Sequence, residues 1–265
     1  MRLKSIASGS SGNCIYVGSD NTHILVDVGI SGKRVEQGLK ELEITGKDVD
    51  AILITHEHSD HIQGLGVISR KYGIPIYSTR GTLEQIVSSK SLGNIDLSLL
   101  NEISYDSSYK IKDISFNTIK ISHDAAEPVA YSFGCGDKKA AIITDLGTYD
   151  DNIKEKLKGL DAIFLEANHD VRMLQLGPYP YNLKQRILGN KGHLSNELAG
   201  KLLSDVLHDN MKHIVLSHLS KENNMPELAY EAVRLEVTMA DSPYKGDDFD
   251  IMIAKRDEPS KTLIL

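Results

Sequence analysis

Four apolar runs in this chain each lead into a histidine or an aspartate, and that placement restricts it to folds that gather strand ends along one sheet edge. The run Ala51-Ile-Leu-Ile54 leads into Thr55-His56-Glu57-His58-Ser59-Asp60-His61, where four potential metal ligands fall within six residues. Lys120-Ile-Ser-His123, Ile142-Ile-Thr-Asp145 and Ile214-Val-Leu-Ser-His218 repeat the arrangement. If the period-two alternation of a strand continues past Ile54, side chains 56, 58 and 60 share one face, while His61 opens a helix and points elsewhere. One tight turn then feeds two metal ions. Imidazole nitrogen and carboxylate oxygen suit zinc, manganese or iron better than calcium or magnesium, which prefer all-oxygen cages. Taken alone, the first run also reads as a polar surface turn; the donors behind three further strands weigh against that.

The 265 residues suffice for a sizeable core, and 40% hydrophobic with 25% charged residues is ordinary for a globular chain. Seven Pro and 21 Gly are scattered rather than pooled into a linker, so residues 1–265 are read as a single domain made of two similar halves. No secretory pattern and no apolar run of membrane-spanning length occurs, and the expected location is cytoplasmic. Cys14 and Cys135 lie far apart, which argues against a zinc ribbon or a disulfide framework and for small buried side chains. A net charge of −7 disfavours broad attraction to nucleic acid without excluding it as a substrate, because bound dications reverse the local sign. Oligomeric state is not legible.

Periodicity predicts strands over 2–7, 14–18 and 23–27, then a helix capped by Ser31 with Val35, Leu39 and Leu42 on its apolar side. After the motif strand at 51–54, one helix is expected to run to Tyr72 and stop at Gly73. Further strands are predicted at 74–78, 109–121, 129–134, 139–144, 161–166, 213–217 and 249–255. Helices are predicted at 81–89, 150–158, 182–189, 195–208 and 226–238. Leu174–Tyr181, with two prolines, reads as an irregular loop, either over the site or merely connecting.

The ordered set His56, His58, Asp60, His61, His123, Asp145 and His218 resembles the metallo-β-lactamase superfamily, whose pattern is H-x-H-x-D-H followed by a lone His, an Asp and a last His. The resemblance implies an α/β fold, a four-layer αβ/βα sandwich of two mixed β-sheets with helices on the outer faces. It also implies two divalent transition-metal ions (Zn, Mn or Fe), with His56, His58 and His123 on one, Asp60, His61 and His218 on the other, and Asp145 bridging. Leu165-Glu166-Ala167-Asn168-His169-Asp170 and Gly192-His193-Leu194-Ser195 resemble patches of ribonuclease Z and related phosphodiesterases, where a histidine near the metals protonates the leaving oxygen. His193 is therefore the expected acid, Glu166 its partner, and Asp60 the residue that orients the nucleophile. A structural Glu and a surface His are the competing readings.

The loop Ser8-Gly-Ser-Ser-Gly-Asn-Cys14 and the segment Leu216-Ser-His-Leu-Ser-Lys-Glu-Asn-Asn224 resemble the YycJ (WalJ) branch, which implies a bacterial cytoplasmic 5′-to-3′ exonuclease on DNA. The interval of 73 positions from Asp145 to His218 leaves no room for the β-CASP insertion of other nucleases in the superfamily. Substrate contacts are expected from Ser11 and Asn13 in the Gly/Ser loop and from Lys184, Arg186 and Lys191 before His193, against an ordinary tight turn and a solvated basic face. Two other functions stay open: hydrolysis of a small thioester, lactone or cyclic phosphodiester, and a non-hydrolytic di-iron or binding protein. Imidazole at both 56 and 58 weighs against the last.

Overall fold

The computed structural model describes residues 1–265. Its first elements are β1 (Arg2–Ala7), β2 (Cys14–Gly18), β3 (His23–Val26), α1 (Gly32–Lys40), β4 (Ala51–Leu53), α2 (Ser59–Ile62), α3 (Leu65–Tyr72), β5 (Ile76–Ser78), α4 (Arg80–Ser88) and β6 (Leu100–Glu102). Then follow β7 (Ser108–Ile111), β8 (Ile114–Lys120), β9 (Val129–Cys135), β10 (Lys138–Ile143), α5 (Asp151–Lys156), β11 (Ala162–Glu166), α6 (Val171–Leu176) and α7 (Tyr181–Leu188). The chain closes with α8 (Asn196–Val206), β12 (His213–Ser217), α9 (Pro226–Met239), β13 (Ile251–Ile253) and β14 (Leu263–Ile264). Two seven-stranded mixed sheets result, of order β14-β1-β2-β3-β4-β5-β6 and β13-β12-β11-β10-β9-β8-β7. The chain divides into two compact units: Met1–Lys120, Ala125–Asp137 and Lys255–Ile264 form the first, Ile121–Asp124 and Lys138–Ala254 most of the second.

In the first unit β1, β2 and β3 form the expected antiparallel meander, and β3, β4, β5 and β6 then pair in parallel. Parallel neighbours need a crossover, which α1, the pair α2 and α3, and α4 supply in turn. β4 is short and buried on every residue, so its apolar run anchors the motif that follows it. Ile6, Leu25, Ile52, Ile54, Leu65 and Ile68 form one buried cluster, each contributing roughly 1.5–3 kcal/mol by leaving water. The predicted helix from the motif to Tyr72 is broken in two at Gly64. There the N–H donates to the Val28 carbonyl at 2.8 Å, and a Cβ would stand 2.0 Å from the Ile30 oxygen. Gly73 stops α3 in the left-handed conformation, at φ 66°. The predicted strand 109–121 is a hairpin, β7 and β8, turning at Lys112 with φ 50°.

In the second unit β10, β11, β12 and β13 are all parallel, paired Ala140 with Ala162, Ile163 with Ile214, and Val215 with Met252. β11 carries no exposed residue, as a parallel strand covered on both faces requires. Asp150 and Ser195 cap α5 and α8 by accepting from Ile153 and Leu198. Half of the expected loop 174–181 is helical: Asp170 accepts from Met173 at 2.7 Å and starts α6, and Gly177–Pro180 is the irregular remainder before α7. Neither cysteine is in a disulfide, and burial pushes the Cys14 thiol far above its ordinary range. No helix is long and apolar enough to cross a membrane.

Candidate metal centre

The first unit supplies one donor cluster. The strand ends at Leu53, so the period-two pattern does not reach the ligands as the sequence suggested. His58 instead takes the N-cap position of α2, placing Asp60 and His61 in a helical turn. That turn brings His61 back against His56, ring centroids 4.1 Å apart, with the His58 ring edge-on to His56 at 4.6 Å. Asp60 Oδ2 lies 3.5 Å from His61 Nε2. The turn is held from several directions: the Asn13 N–H donates to the Asp60 carbonyl at 2.8 Å, Tyr131 Oη donates to the Ile54 carbonyl at 2.7 Å, and the Val129 N–H donates to Thr55. Gly29 packs so tightly that a Cβ would meet the Asp60 carbonyl at 1.7 Å.

Behind this cluster sits Asp27, which sequence reasoning missed. It is 3% exposed and follows β3 with φ 60°. Its Oδ1 accepts from the Thr55 N–H at 2.9 Å, and its Oδ2 accepts from Thr55 Oγ1 at 2.9 Å and from His61 Nδ1–H at 2.7 Å. A carboxylate on Nδ1 fixes the tautomer and turns Nε2 outward as a ligand, the usual outer support of a metal-bound histidine. The signal was available: Asp27 is a polar residue directly behind an apolar strand, the criterion already applied to Asp145.

The second unit supplies the other cluster; His123, Asp145 and His218 follow strands, Glu166 ends one, and His193 lies between α7 and α8. His123 Nδ1 donates to the Gly192 carbonyl at 3.1 Å, and Nε2 faces Asp145 at 3.8 Å and Asp124 at 3.5 Å. Asp145 follows β10 and His218 follows β12, both buried and both left-handed, at φ 59° and 57°. Such backbone costs of order 1–3 kcal/mol per residue and survives only where the surroundings impose it. Glu166 ends β11, fully buried, and its four contacts organise the cluster. Oε1 accepts from Nδ1 of both His193 and His218 at 2.9 Å, while Oε2 accepts from the Leu146 and Leu194 N–H groups at 2.8 and 3.0 Å. Burial alone would raise its pKa, but the charge and hydrogen bond of His193 and the hydrogen bond of His218 prevail and hold it at about 2. Both imidazoles therefore turn Nε2 away from Glu166. Donor atoms of Asp145, Glu166, His193 and His218 lie within 4.8 Å of one another.

His169 is a different case. It is 1% exposed, neither ring nitrogen has a hydrogen-bond partner, and burial lowers its pKa to about 4, so it is a neutral imidazole at pH 7. Among the expected substrate contacts, Asn13 is buried, its Oδ1 accepting from the Gly9 N–H at 2.9 Å and its Nδ2 3.2 Å from His61 Nε2. Ser11 is exposed. Lys184 donates to the Gln175 carbonyl at 2.7 Å, Arg186 pairs with Asp124, and Lys191 is exposed.

Clusters of imidazole and carboxylate, buried and oriented by outer acceptors, fit a divalent transition metal. The chain belongs to the β-lactamase superfamily: the family model described as "Beta-lactamase superfamily domain" matches residues 22–219. Among curated proteins it is 46% identical over 228 residues to exodeoxyribonuclease YycJ of Bacillus anthracis, covering 86% of each chain. It is 42% identical over 246 residues to exodeoxyribonuclease WalJ of Streptococcus pneumoniae, covering 93% of this chain and 91% of the relative. The fold is that of Zn(2+)-bound PqqB from Methylobacterium extorquens, at TM-score 0.73 and 15% identity with both chains covered completely. The expected αβ class with two mixed sheets is thus met.

Proposed function

We propose that this protein is a metal-dependent phosphodiesterase that removes nucleotides from DNA, with 5′-to-3′ polarity, and acts in the cytoplasm. Support comes from relatives named exodeoxyribonuclease that match along most of their length. Residues 1–265 then act as one hydrolase domain. His56, His58 and His123 would hold one ion and Asp60, His61 and His218 a second, with Asp145 shared, following the order of the superfamily pattern; zinc, manganese and iron all suit this set. When bound, such a pair supplies Lewis acidity that makes water a nucleophile near neutral pH and offsets charge on the phosphate oxygens.

The chain's own groups do the rest. Asp60 orients the attacking water. His193, its Nδ1 fixed by Glu166, presents Nε2 and protonates the departing oxygen. Glu166 keeps that imidazole in the productive tautomer and, through the same oxygen, aligns His218. This double use of one buried carboxylate is the observation that carries the reading: hydrolysis of a thioester or lactone by the same donors needs no such acid. The test is digestion of end-labelled DNA with added Mn²⁺ or Zn²⁺ beside an acyl thioester, with Asp60→Ala as control. Release of mononucleotides by the wild type but not the control supports the proposal. Thioester turnover without nuclease activity would replace it with the small-ester reading.

A further inference from the structure

We infer that the helical hairpin α6 and α7 is the docking surface for the single-stranded end of the substrate, with Tyr181 as a base-stacking platform. The inference rests on the nuclease reading for its purpose but on separate residues for its evidence. In a chain of net charge −7, the stretch between Asp170 and Glu197 contains no acidic side chain, and with the charge of Arg186 offset by Asp124 it keeps a surplus of three cations, Arg172, Lys184 and Lys191. A local excess of this kind attracts phosphates whatever the total charge. Three apolar or aromatic side chains interrupt the basic ones. Leu176 is 88% and Tyr181 73% exposed, and Tyr179 between them is half-buried. An aromatic ring left in water beside cations is the combination by which proteins hold unpaired nucleic acid, since every base has a face to stack and every nucleotide a phosphate.

The hairpin is also fastened where such a surface has to be. Lys184 Nζ donates to the Gln175 carbonyl at 2.7 Å and closes α7 onto α6. At the other end the His193 N–H donates to the Ile187 carbonyl at 3.1 Å, and the Asp124 N–H to the Lys191 carbonyl at 3.1 Å. Arg186 is committed to Asp124, its Nη2 3.0 Å from Oδ1, so it serves as a brace beside His123 rather than as a phosphate contact. Gly192 has no space for a side chain, because a Cβ would stand 2.1 Å from the Ile187 oxygen. From Tyr181 to Leu188 the helix rises roughly 10 Å, the length of about three stacked nucleotides. A strand lying on Tyr181, Lys184 and Lys191 therefore runs toward the acid His193.

The experiment compares Tyr181→Ala, Tyr181→Phe and Lys191→Ala in the full-length metal-loaded enzyme on a labelled single-stranded oligonucleotide and on bis-p-nitrophenyl phosphate. Tyr181→Ala should raise the oligonucleotide KM by roughly 5- to 150-fold, at least fivefold more than any loss on the small diester, and Tyr181→Phe should restore it. Lys191→Ala should reduce the salt dependence of oligonucleotide binding by about 0.7 in the log–log slope. Equal losses on both substrates, or an unmoved oligonucleotide KM, overturn the inference and leave Leu176 and Tyr181 as a surface for a protein partner. Should the wild type cleave neither substrate, the nuclease reading fails by itself. Anisotropy of the labelled oligonucleotide then decides the docking question, since absence of binding, or binding that Tyr181→Ala leaves unchanged, rejects it.

Discussion

Glu166→Gln is the substitution that separates this site from a simpler one. Glutamine keeps the shape, and its amide oxygen still accepts from Leu146 and Leu194 if it takes the position of Oε2. The amide nitrogen then faces the Nδ1–H groups of His193 and His218, donor against donor. Two charge-assisted hydrogen bonds of roughly 1.5–3 kcal/mol each are lost, and the interaction that lowers the carboxyl from 4.5 to about 2 corresponds to roughly 3 kcal/mol. Both imidazoles become free to flip. We therefore expect metal affinity to fall about 10- to 100-fold and turnover about 10²- to 10⁴-fold. His193→Ala should show the turnover loss with metal content intact. Metal content by atomic emission and kcat on bis-p-nitrophenyl phosphate measure both. If Glu166→Gln keeps its metal and loses no more activity than His193→Ala, the carboxylate acts through His193 alone and its alignment of His218 is irrelevant.

Asp27→Asn should lower stability by roughly 1–3 kcal/mol, since the amide that replaces this buried carboxylate sets an NH₂ group against the Thr55 and His61 donors; urea denaturation measures it, and a loss below about 0.5 kcal/mol would contradict the bracing role. His169 has a pKa lowered by burial to about 4 against 6.5 when exposed, so the unfolded chain binds its proton first as pH falls. That group's stability contribution is intact above about 6.5 and declines until about 4, by about 2 kcal/mol at pH 5, and His169→Gln should flatten this part of the pH–stability curve. Identical curves for variant and wild type would remove the assignment. Gly29→Ala should cost roughly 1–3 kcal/mol or more by overpacking against the Asp60 carbonyl, read as a lower thermal midpoint with weaker metal retention. An unchanged midpoint would mean the turn yields freely.

The strands that carry the candidate ligands were legible because each is an apolar run stopped by a donor, and sheet pairing then has little choice. β6 and β14 were not, since Leu100-Asn-Glu102 and Leu263-Ile264 are too short to show a period and owe their pairing to β5 and β1. The shared face expected for residues 56, 58 and 60 failed for a related reason: strand period was carried past Leu53, whereas hydrogen bonds from Asn13, Val129 and Tyr131 bend the chain into a turn that no local pattern reveals, and only the helical placement of His61 holds. The partnership of Glu166 with His218 joins positions 52 residues apart, so only the assembled parallel strands disclose it.

The left-handed backbone at Asp27, Asp145 and His218 narrows the alphabet from which this centre can be spelled. Glutamate and cysteine coordinate metals as well as aspartate and histidine do, yet the reversed turn after each strand favours only the few side chains that tolerate it, chiefly Asn, Asp and His beside Gly. Selection at these three places thus works on the main chain before it works on the ion. A lineage that changed its metal would have to do so by altering what lies behind these residues rather than the residues themselves.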